Sequence, residues 1–295
     1  MHDDEVRITA GTVRGLVAEQ HPQWAALPVE PVAGGGTVNA VFRLGHDLAA
    51  RFPLRRQDPD AVLATLARET VAAHEIASCS TVPTPRPVAI GGPGAGYPMP
   101  WSVQTWLPGR VASEEDPAAS EPFARDLAAL VLRLRAADTR GRTFSGDGRG
   151  GRLDDHDAWV EESLRRSGHL VDVPAVRALW QELRGTPRSA PDVMTHGDLV
   201  PGNVLVADGR LTGVLDVGGF GPADPALELV AVWHLLDDGP RRVVRDLLGS
   251  GDDEWARGMA WALQQAIGAL WYYESTNPPM HRMGRITLEW LLAAR

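Results

Sequence analysis

The sequence predicts an α+β chain in two parts: a small part built on a mostly antiparallel sheet, then a larger, mainly helical one. Three observations carry this. Short runs rich in Val, Leu and Phe, separated by glycine turns, occupy much of the first hundred residues. After Pro117 apolar residues recur at helical spacing in almost every segment. The change of pattern falls at Pro108-Gly109, a pair that favours neither strand nor helix. The expected division is therefore 1–107 and 108–295.

Taken in order, Thr9 to Gln20 reads as a helix, with Val13, Leu16 and Val17 on one face and Thr9 as its cap. Val29 to Ala33, Val38 to Leu44 and Leu48 to Phe52 read as strands, joined by Gly34-Gly35-Gly36-Thr37 and by Gly45-His46-Asp47. Pro59 to Ser78 reads as a helix with proline in its first turn and Val62, Leu66 and Ile76 on its apolar face. The prolines from Val82 to Pro87 exclude helix or central strand there. Val88 to Ile90 and Ser102 to Leu107 then complete the sheet.

In the second part, Glu121 to Ala137 sets Phe123, Leu127, Leu130, Val131 and Leu134 at helical spacing. The Gly/Arg-rich stretch from Arg140 to Arg152 reads as a mobile surface loop. Further helices are expected over Asp155–Ser167, Pro174–Arg184, Pro225–Leu236, Pro240–Leu248, Glu254–Tyr272 and Pro279–Leu292. Val204-Leu205-Val206 and Val214-Leu215 read instead as buried strands, with Asp208-Gly209 as the hairpin turn between them.

Composition narrows the function classes. Cys79 is the only cysteine of the 295 residues, so no intrachain disulfide is available. No run approaches the ~18 apolar residues of a membrane span, and the acidic start, MHDDEVRITAGTV, lacks the apolar core of a secretory signal. A cytoplasmic protein without membrane association is expected. The net charge is −9, and most of the acid excess lies after Gly109. That argues against nucleic acid and would steer a cationic small molecule, although surface acid serves solubility equally well. All 29 basic residues are arginine.

The densest chemistry lies between Val193 and Asp216, in VMTHGDLVPGNVLVADGRLTGVLD. A hairpin brings its outer ends together, so Asn203 and Asp216 can face one another. Hard oxygen donors at such a point suit Mg²⁺, which takes carboxylate and carbonyl oxygens together with waters and phosphates. Asp198 precedes Asn203 by five residues, on the loop entering the hairpin, within reach of an acceptor hydroxyl. This is the layout of a phosphoryl-transfer site.

His196-Gly197-Asp198-Leu199-Val200-Pro201-Gly202-Asn203, followed by Asp216-Val217-Gly218, resembles the catalytic and metal loops of the aminoglycoside phosphotransferase family. The resemblance implies a protein-kinase-like two-lobe fold, with a nucleotide-binding lobe over 1–107 and a helical catalytic and acceptor-binding lobe over 108–295. It implies Asp198 as catalytic base, Asn203 and Asp216 as magnesium ligands, and His196 as a support of the loop. Two positions depart from the family pattern: Val200, where relatives often carry histidine, and Gly219, where they often carry aspartate.

The same resemblance extends to the first part. Gly35, Gly36 and Thr37 stand where the family's nucleotide loop lies, and glycine permits close backbone approach to phosphates. The stretch lacks the GxGxxG pattern and by itself is equally an ordinary turn. Arg51 occupies the strand position where a kinase-like pattern places a phosphate-pairing lysine, and arginine can clamp phosphate bidentately. Glu69 is its expected ion-pair partner, with Glu75 as competitor. Gln104 to Leu107 resembles the interlobe hinge, so backbone groups of Thr105 and Leu107 would meet the purine base. Asp224-Pro225 reads as a helix cap that buttresses the loop.

The expected activity is O-phosphotransfer from ATP or GTP, with Mg²⁺, to a hydroxyl of a small molecule. By family analogy this is an antibiotic, aminoglycoside-like or macrolide. Two alternatives stand beside it. One is a metabolite kinase acting on choline, homoserine or a sugar amine, for which Trp271 to Tyr273 could supply an aromatic cage. The other is a catalytically inactive nucleotide-binding regulator.

Overall fold

A computed structural model describes residues 6–294 apart from 33–37, Asp147 and Ser189. It divides into two compact units, Met1–Ser78 with Thr84–Pro108, and Cys79–Pro83 with Gly109–Arg295.

The first unit opens with α1 (Ala10–Gln20), whose N-cap Thr9 accepts a bond from the Thr12 amide. Five strands follow: β1 (Val29–Pro31), β2 (Asn39–Leu44), β3 (Leu48–Pro53), β4 (Pro87–Gly91) and β5 (Trp101–Thr105). They form one antiparallel sheet in the order β1-β2-β3-β5-β4. The helix α2 (Pro59–Cys79) connects β3 to β4. The core of this unit is aromatic. Phe52 stacks on Trp101 with centroids 5.0 Å apart and meets Phe42 and Tyr97 edge-on. These rings close over Val13 and Leu16 of α1 and Val62 and Leu66 of α2.

The second unit is mainly helical: α3 (Glu121–Arg135), α4 (Asp157–Arg166), α5 (Val173–Leu183), α6 (Val230–Leu235), α7 (Asp238–Leu248), α8 (Asp252–Tyr272) and α9 (Pro278–Ala293). Its core gathers around α8, from Met259 to Leu270, with Val176 and Trp180 of α5, Val160 of α4 and Leu291 of α9. Among the described residues no helix is long and apolar enough to cross a membrane.

Two small sheets sit within this helical unit. In the first, β6 (Arg110–Val111), β8 (Val204–Ala207) and β9 (Arg210–Val214) run in the order β6-β8-β9. Asp208 and Gly209 join β8 to β9 with φ of 52° and 67°, the doubly positive pair that a two-residue I′ turn requires. In the second sheet, β7 (Val193–Thr195) pairs with β10 (Gly221–Ala223), so Thr195 lies opposite Gly221. The sequence reading anticipated the β8–β9 hairpin but neither β6 nor this second sheet.

The expected helix from Pro225 to Leu236 is in fact two elements, a 3₁₀ turn over Pro225–Leu229 and then α6. Asp224 accounts for the tighter start. Its carbonyl accepts the Leu227 amide at 2.9 Å and its carboxylate the Ala226 amide at 3.0 Å. The other carboxylate oxygen takes two bonds from Arg257, at 2.9 and 2.5 Å, and one from the Trp261 indole at 3.2 Å. Both side chains are buried, 2% and 6% exposed. Breaking a buried pair leaves a charge without compensation. Arg257→Met is therefore expected to cost about 3–5 kcal/mol, read as a lowered urea midpoint at unchanged m-value.

Candidate active site

Between β7 and β8 the chain makes a compact loop that presents Asp198. Within it the Val200 amide donates to the Asp198 carbonyl at 2.9 Å, and the Asn203 amide to the Val200 carbonyl at 2.8 Å. Asn203 turns its side-chain nitrogen inward, to the Asp198 carbonyl at 2.9 Å and to Oδ2 of its carboxylate at 3.2 Å. Asn203 Oδ1 is thereby the atom the amide has left to offer a cation. Val200 packs against Ala269 of α8 and Met283 of α9, pinning the loop to the helices. An imidazole at this position would not suit so apolar a contact.

Asp216 arrives from the far end of the hairpin. Val204 lies opposite Val214, and the Leu215 amide donates to the Asn203 carbonyl at 2.8 Å, so Asn203 and Asp216 flank the same open end. Asp216 is exposed and has φ 54°, ψ 51°. A left-handed backbone is uncommon outside glycine, though Asp and Asn tolerate it better than most residues. Such conformations cluster at functional sites.

His196 is only 2% exposed, which removes it from direct chemistry. Its Nδ1 accepts the Asp198 amide at 3.3 Å, so its Nε2–H donates to the Leu215 carbonyl at 2.9 Å. One ring thus spans the Asp198 loop and the hairpin end that carries Asp216. Glu228 performs a similar task from the 3₁₀ turn, accepting the Gly197 amide at 3.0 Å.

Burial pushes the Glu228 carboxyl above its ordinary value of 4.5, outweighing the Gly197 amide and Arg135, which both favour the charge. A carboxyl raised on folding stabilises fully below its unfolded value. That contribution is lost as pH climbs through the folded value. Glu228→Gln is expected to leave the melting temperature at about pH 4 nearly unchanged and to flatten its decline as pH rises from there toward about 8, measured by thermal unfolding across that range.

The model of the APH phosphotransferase enzyme family matches residues 29–261. The chain belongs to this family. An aminoglycoside 3'-phosphotransferase of Salmonella typhimurium is 30% identical over 151 residues, 47% of this chain and 53% of that protein. The chain thus spans about half the length of the curated relative it matches. Among solved structures, the GDP complex of an aminoglycoside 2'-phosphotransferase-IIIa superposes with a TM-score of 0.69 at 20% identity, covering 95% of this chain and 97% of the other. A macrolide 2'-phosphotransferase from Brachybacterium faecium gives 0.58 at 21% identity, covering 89% and 92%. At these identities the likeness is one of fold, and it gives the chain the family's kinase-like α+β architecture.

Against this phosphotransferase frame, the described residues bring together Asp198, Asn203 and the backbone leading into Asp216 in the second unit. In the first unit, Arg51 of β3 stands 3.8 Å from Glu69 of α2, with side chains 14% and 33% exposed. A cavity of about 150 Å³ opens beside the pair, lined also by Asn39, Gln57, Thr65 and Ser102. Thr105 ends β5, where its amide donates to the Arg86 carbonyl and its hydroxyl accepts the Arg86 amide, both at 2.9 Å. Leu107 follows, half-buried. Gly35, Gly36 and Thr37 lie outside the described residues.

The donor set fits magnesium. Among the described residues no three His, Cys, Asp or Glu side chains cluster as a cage. Mg²⁺ uses such cages rarely; it takes one or two carboxylates and completes its shell with phosphates and water. A carboxylate at Asp216 and an amide oxygen at Asn203 are donors of the type such a partial shell would use.

Two side chains outside the expected site residues also reach Asp198: Arg149, in a segment that resembles one preceding the family's acceptor-side helices, and Gln265. Arg149 donates to Oδ1 of Asp198 at 2.6 Å, and Gln265 of α8 donates to the same oxygen at 2.8 Å. The stretch around Arg149, expected to be mobile, is instead docked. The Gly150 carbonyl accepts the Asp224 amide at 2.9 Å. For Gln265 a signal existed: Gln264-Gln265 interrupts an otherwise apolar run in α8.

Proposed function

We propose that this protein is a nucleotide-dependent O-phosphotransferase that moves the γ-phosphoryl group of ATP or GTP to a hydroxyl of a small molecule, an antibiotic of aminoglycoside or macrolide type. The observation that carries this reading is the shared end of the β8–β9 hairpin. There Asn203 binds the Asp198 carboxylate, and Asp216 emerges beside it in a left-handed conformation. Family membership supplies the reaction class.

In this reading Asp198 orients the acceptor hydroxyl and receives its proton late in the transfer. Asn203 and Asp216 would hold magnesium, which when bound neutralises charge on the phosphates. Residues 1–107 would carry the nucleotide, with Arg51 held by Glu69 for the phosphates, Gly35, Gly36 and Thr37 around them, and Thr105 and Leu107 at the base. Residues 108–295 would carry catalysis and the acceptor.

Local charge bears on the acceptor. Asp157 pairs with Arg184, Glu161 with Arg177, and Glu162 with Arg165 and Arg166. The acid of α4 is thus largely neutralised by arginine, so the net charge of −9 is a weaker argument for a polycation than the composition alone implies. The choline-cage alternative also loses ground, because the Arg166 guanidinium already lies over the Trp271 ring, 4.4 Å from its centroid. The test is a panel of aminoglycosides, macrolides and metabolite alcohols incubated with ATP or GTP and Mg²⁺. Nucleoside-diphosphate release and a one-phosphoryl gain in acceptor mass are expected with a member of the antibiotic set. Nucleotide binding with no turnover on any acceptor would favour the regulator.

A further inference from the structure

Among the described residues three donors surround the Asp198 carboxylate, and they divide unequally. Arg149 at 2.6 Å and Gln265 at 2.8 Å both meet Oδ1, while Asn203 alone meets Oδ2, at 3.2 Å. An ionised carboxylate oxygen offers about two acceptor positions. Oδ1 is therefore saturated, and Oδ2 keeps one position for a further partner. The carboxylate torsion is otherwise soft. Two donors on one oxygen fix it.

Each donor is held by the fold behind it. Arg149 is delivered by a backbone that only glycine accommodates at the next residue. Gly150 has φ +114°, and a Cβ there would stand 2.7 Å from that of Ala223. Gln265 is set by a buried chain. Its Oε1 lies 3.3 Å from His234 Nε2, and His234 Nδ1 lies 2.8 Å from the Thr287 hydroxyl. Because Asp198 can only accept, Gln265 must turn its amide nitrogen toward it and its carbonyl toward His234. His234 must then carry its proton on Nε2 and accept from Thr287 at Nδ1. Burial pushes His234 down to about 3, so the ring stays neutral and this order of donors persists at working pH.

We infer that Arg149 and Gln265 are positioning residues for the transfer: they saturate Oδ1 of Asp198 so that Oδ2 alone is presented to the acceptor hydroxyl, with His234 and Thr287 setting the Gln265 amide. The inference rests on the reading of Asp198 as the carboxylate that orients the acceptor. Misplacement of a reacting group by about 1 Å costs roughly 10²-fold, which sets the scale of the effect.

The test compares Gln265→Leu, Arg149→Met, Arg149→Lys and Asp198→Asn with the parent. Transfer is measured to an acceptor turned over in the panel, or to water as nucleotide hydrolysis where none is. Gln265→Leu and Arg149→Met are each expected to lower kcat by about 10–100-fold, with nucleotide KM within about threefold and the melting temperature unchanged. Arg149→Lys should recover much of the loss. The double variant should fall little below the worse single one, since both act through one oxygen. Thr287→Val should lower kcat in the same direction by a smaller factor. Gln265→Met serves if Gln265→Leu does not fold. A kcat within about threefold of the parent in both single variants, or a loss that follows a lower melting temperature or a raised nucleotide KM, overturns the inference. If Asp198→Asn itself turns over like the parent, the reading of the base fails instead, and the two failures are told apart.

Discussion

Asp198→Asn is expected to lower kcat by about 10²–10⁴-fold while leaving nucleotide affinity near the parent value. The substitution is isosteric, and the surroundings dictate how the new amide sits. Arg149 and Gln265 both donate to the Oδ1 position, so the asparagine oxygen must occupy it. Its NH₂ then replaces Oδ2, facing the Asn203 amide nitrogen and the acceptor hydroxyl with donors instead of a lone pair. Such a group cannot take the hydroxyl proton or fix the hydroxyl by accepting from it. Steady-state kinetics with an acceptor from the panel, paired with calorimetric titration of the nucleotide, checks the result. A variant retaining more than about a tenth of the parent kcat would show that the carboxylate is not the orienting group.

Asp216→Ala is expected to be at least as damaging, about 10³-fold or more, because in the proposed reading it removes a magnesium ligand and forfeits several kcal/mol of charge stabilisation on the phosphates. Here the backbone complicates the comparison. Asp216 is held at φ 54°, where alanine fits less well than aspartate, so part of any loss could come from a shifted hairpin end. Asp216→Asn separates the effects: it keeps the residue class that tolerates the left-handed region and removes the anionic oxygen. If the ligand role is right, both variants lose activity, and raising the magnesium concentration restores Asp216→Asn in part. Turnover of Asp216→Ala near the parent rate would remove the metal assignment.

What was legible in the sequence was whatever depended on local chemistry. Asp208-Gly209 announces its turn because few other pairs accept two positive φ angles, and the register that follows sets Asn203 near Asp216. Thr9 and Asp224 announce their caps for the same local reason. Elements stabilised by distant partners were not legible. β7 and β10 are three residues each, and Pro222 sits within the pair, so neither carries a strand pattern of its own. The Gln264-Gln265 pair marks a polar interruption in the apolar part of its helix but names no partner, and Asp198 lies 67 positions from Gln265. At the end of the Gly/Arg-rich stretch composition misled: Gly150 and Gly151 serve close packing, with a Cβ at Gly151 falling 2.7 Å from the Phe144 ring, while Gly141 and Gly148 lie in open space.

The guanidinium on β3 has a practical corollary. Reagents that map nucleotide pockets by acylating an ε-amine need a lysine beside the phosphates, whereas the proposed nucleotide site has Arg51 in that role and the chain contains no lysine anywhere. Such reagents would pass over the protein even with its pocket fully competent, so profiling it in a mixture calls for a guanidine-directed dicarbonyl, with protection by ATP or GTP as the sign of occupancy.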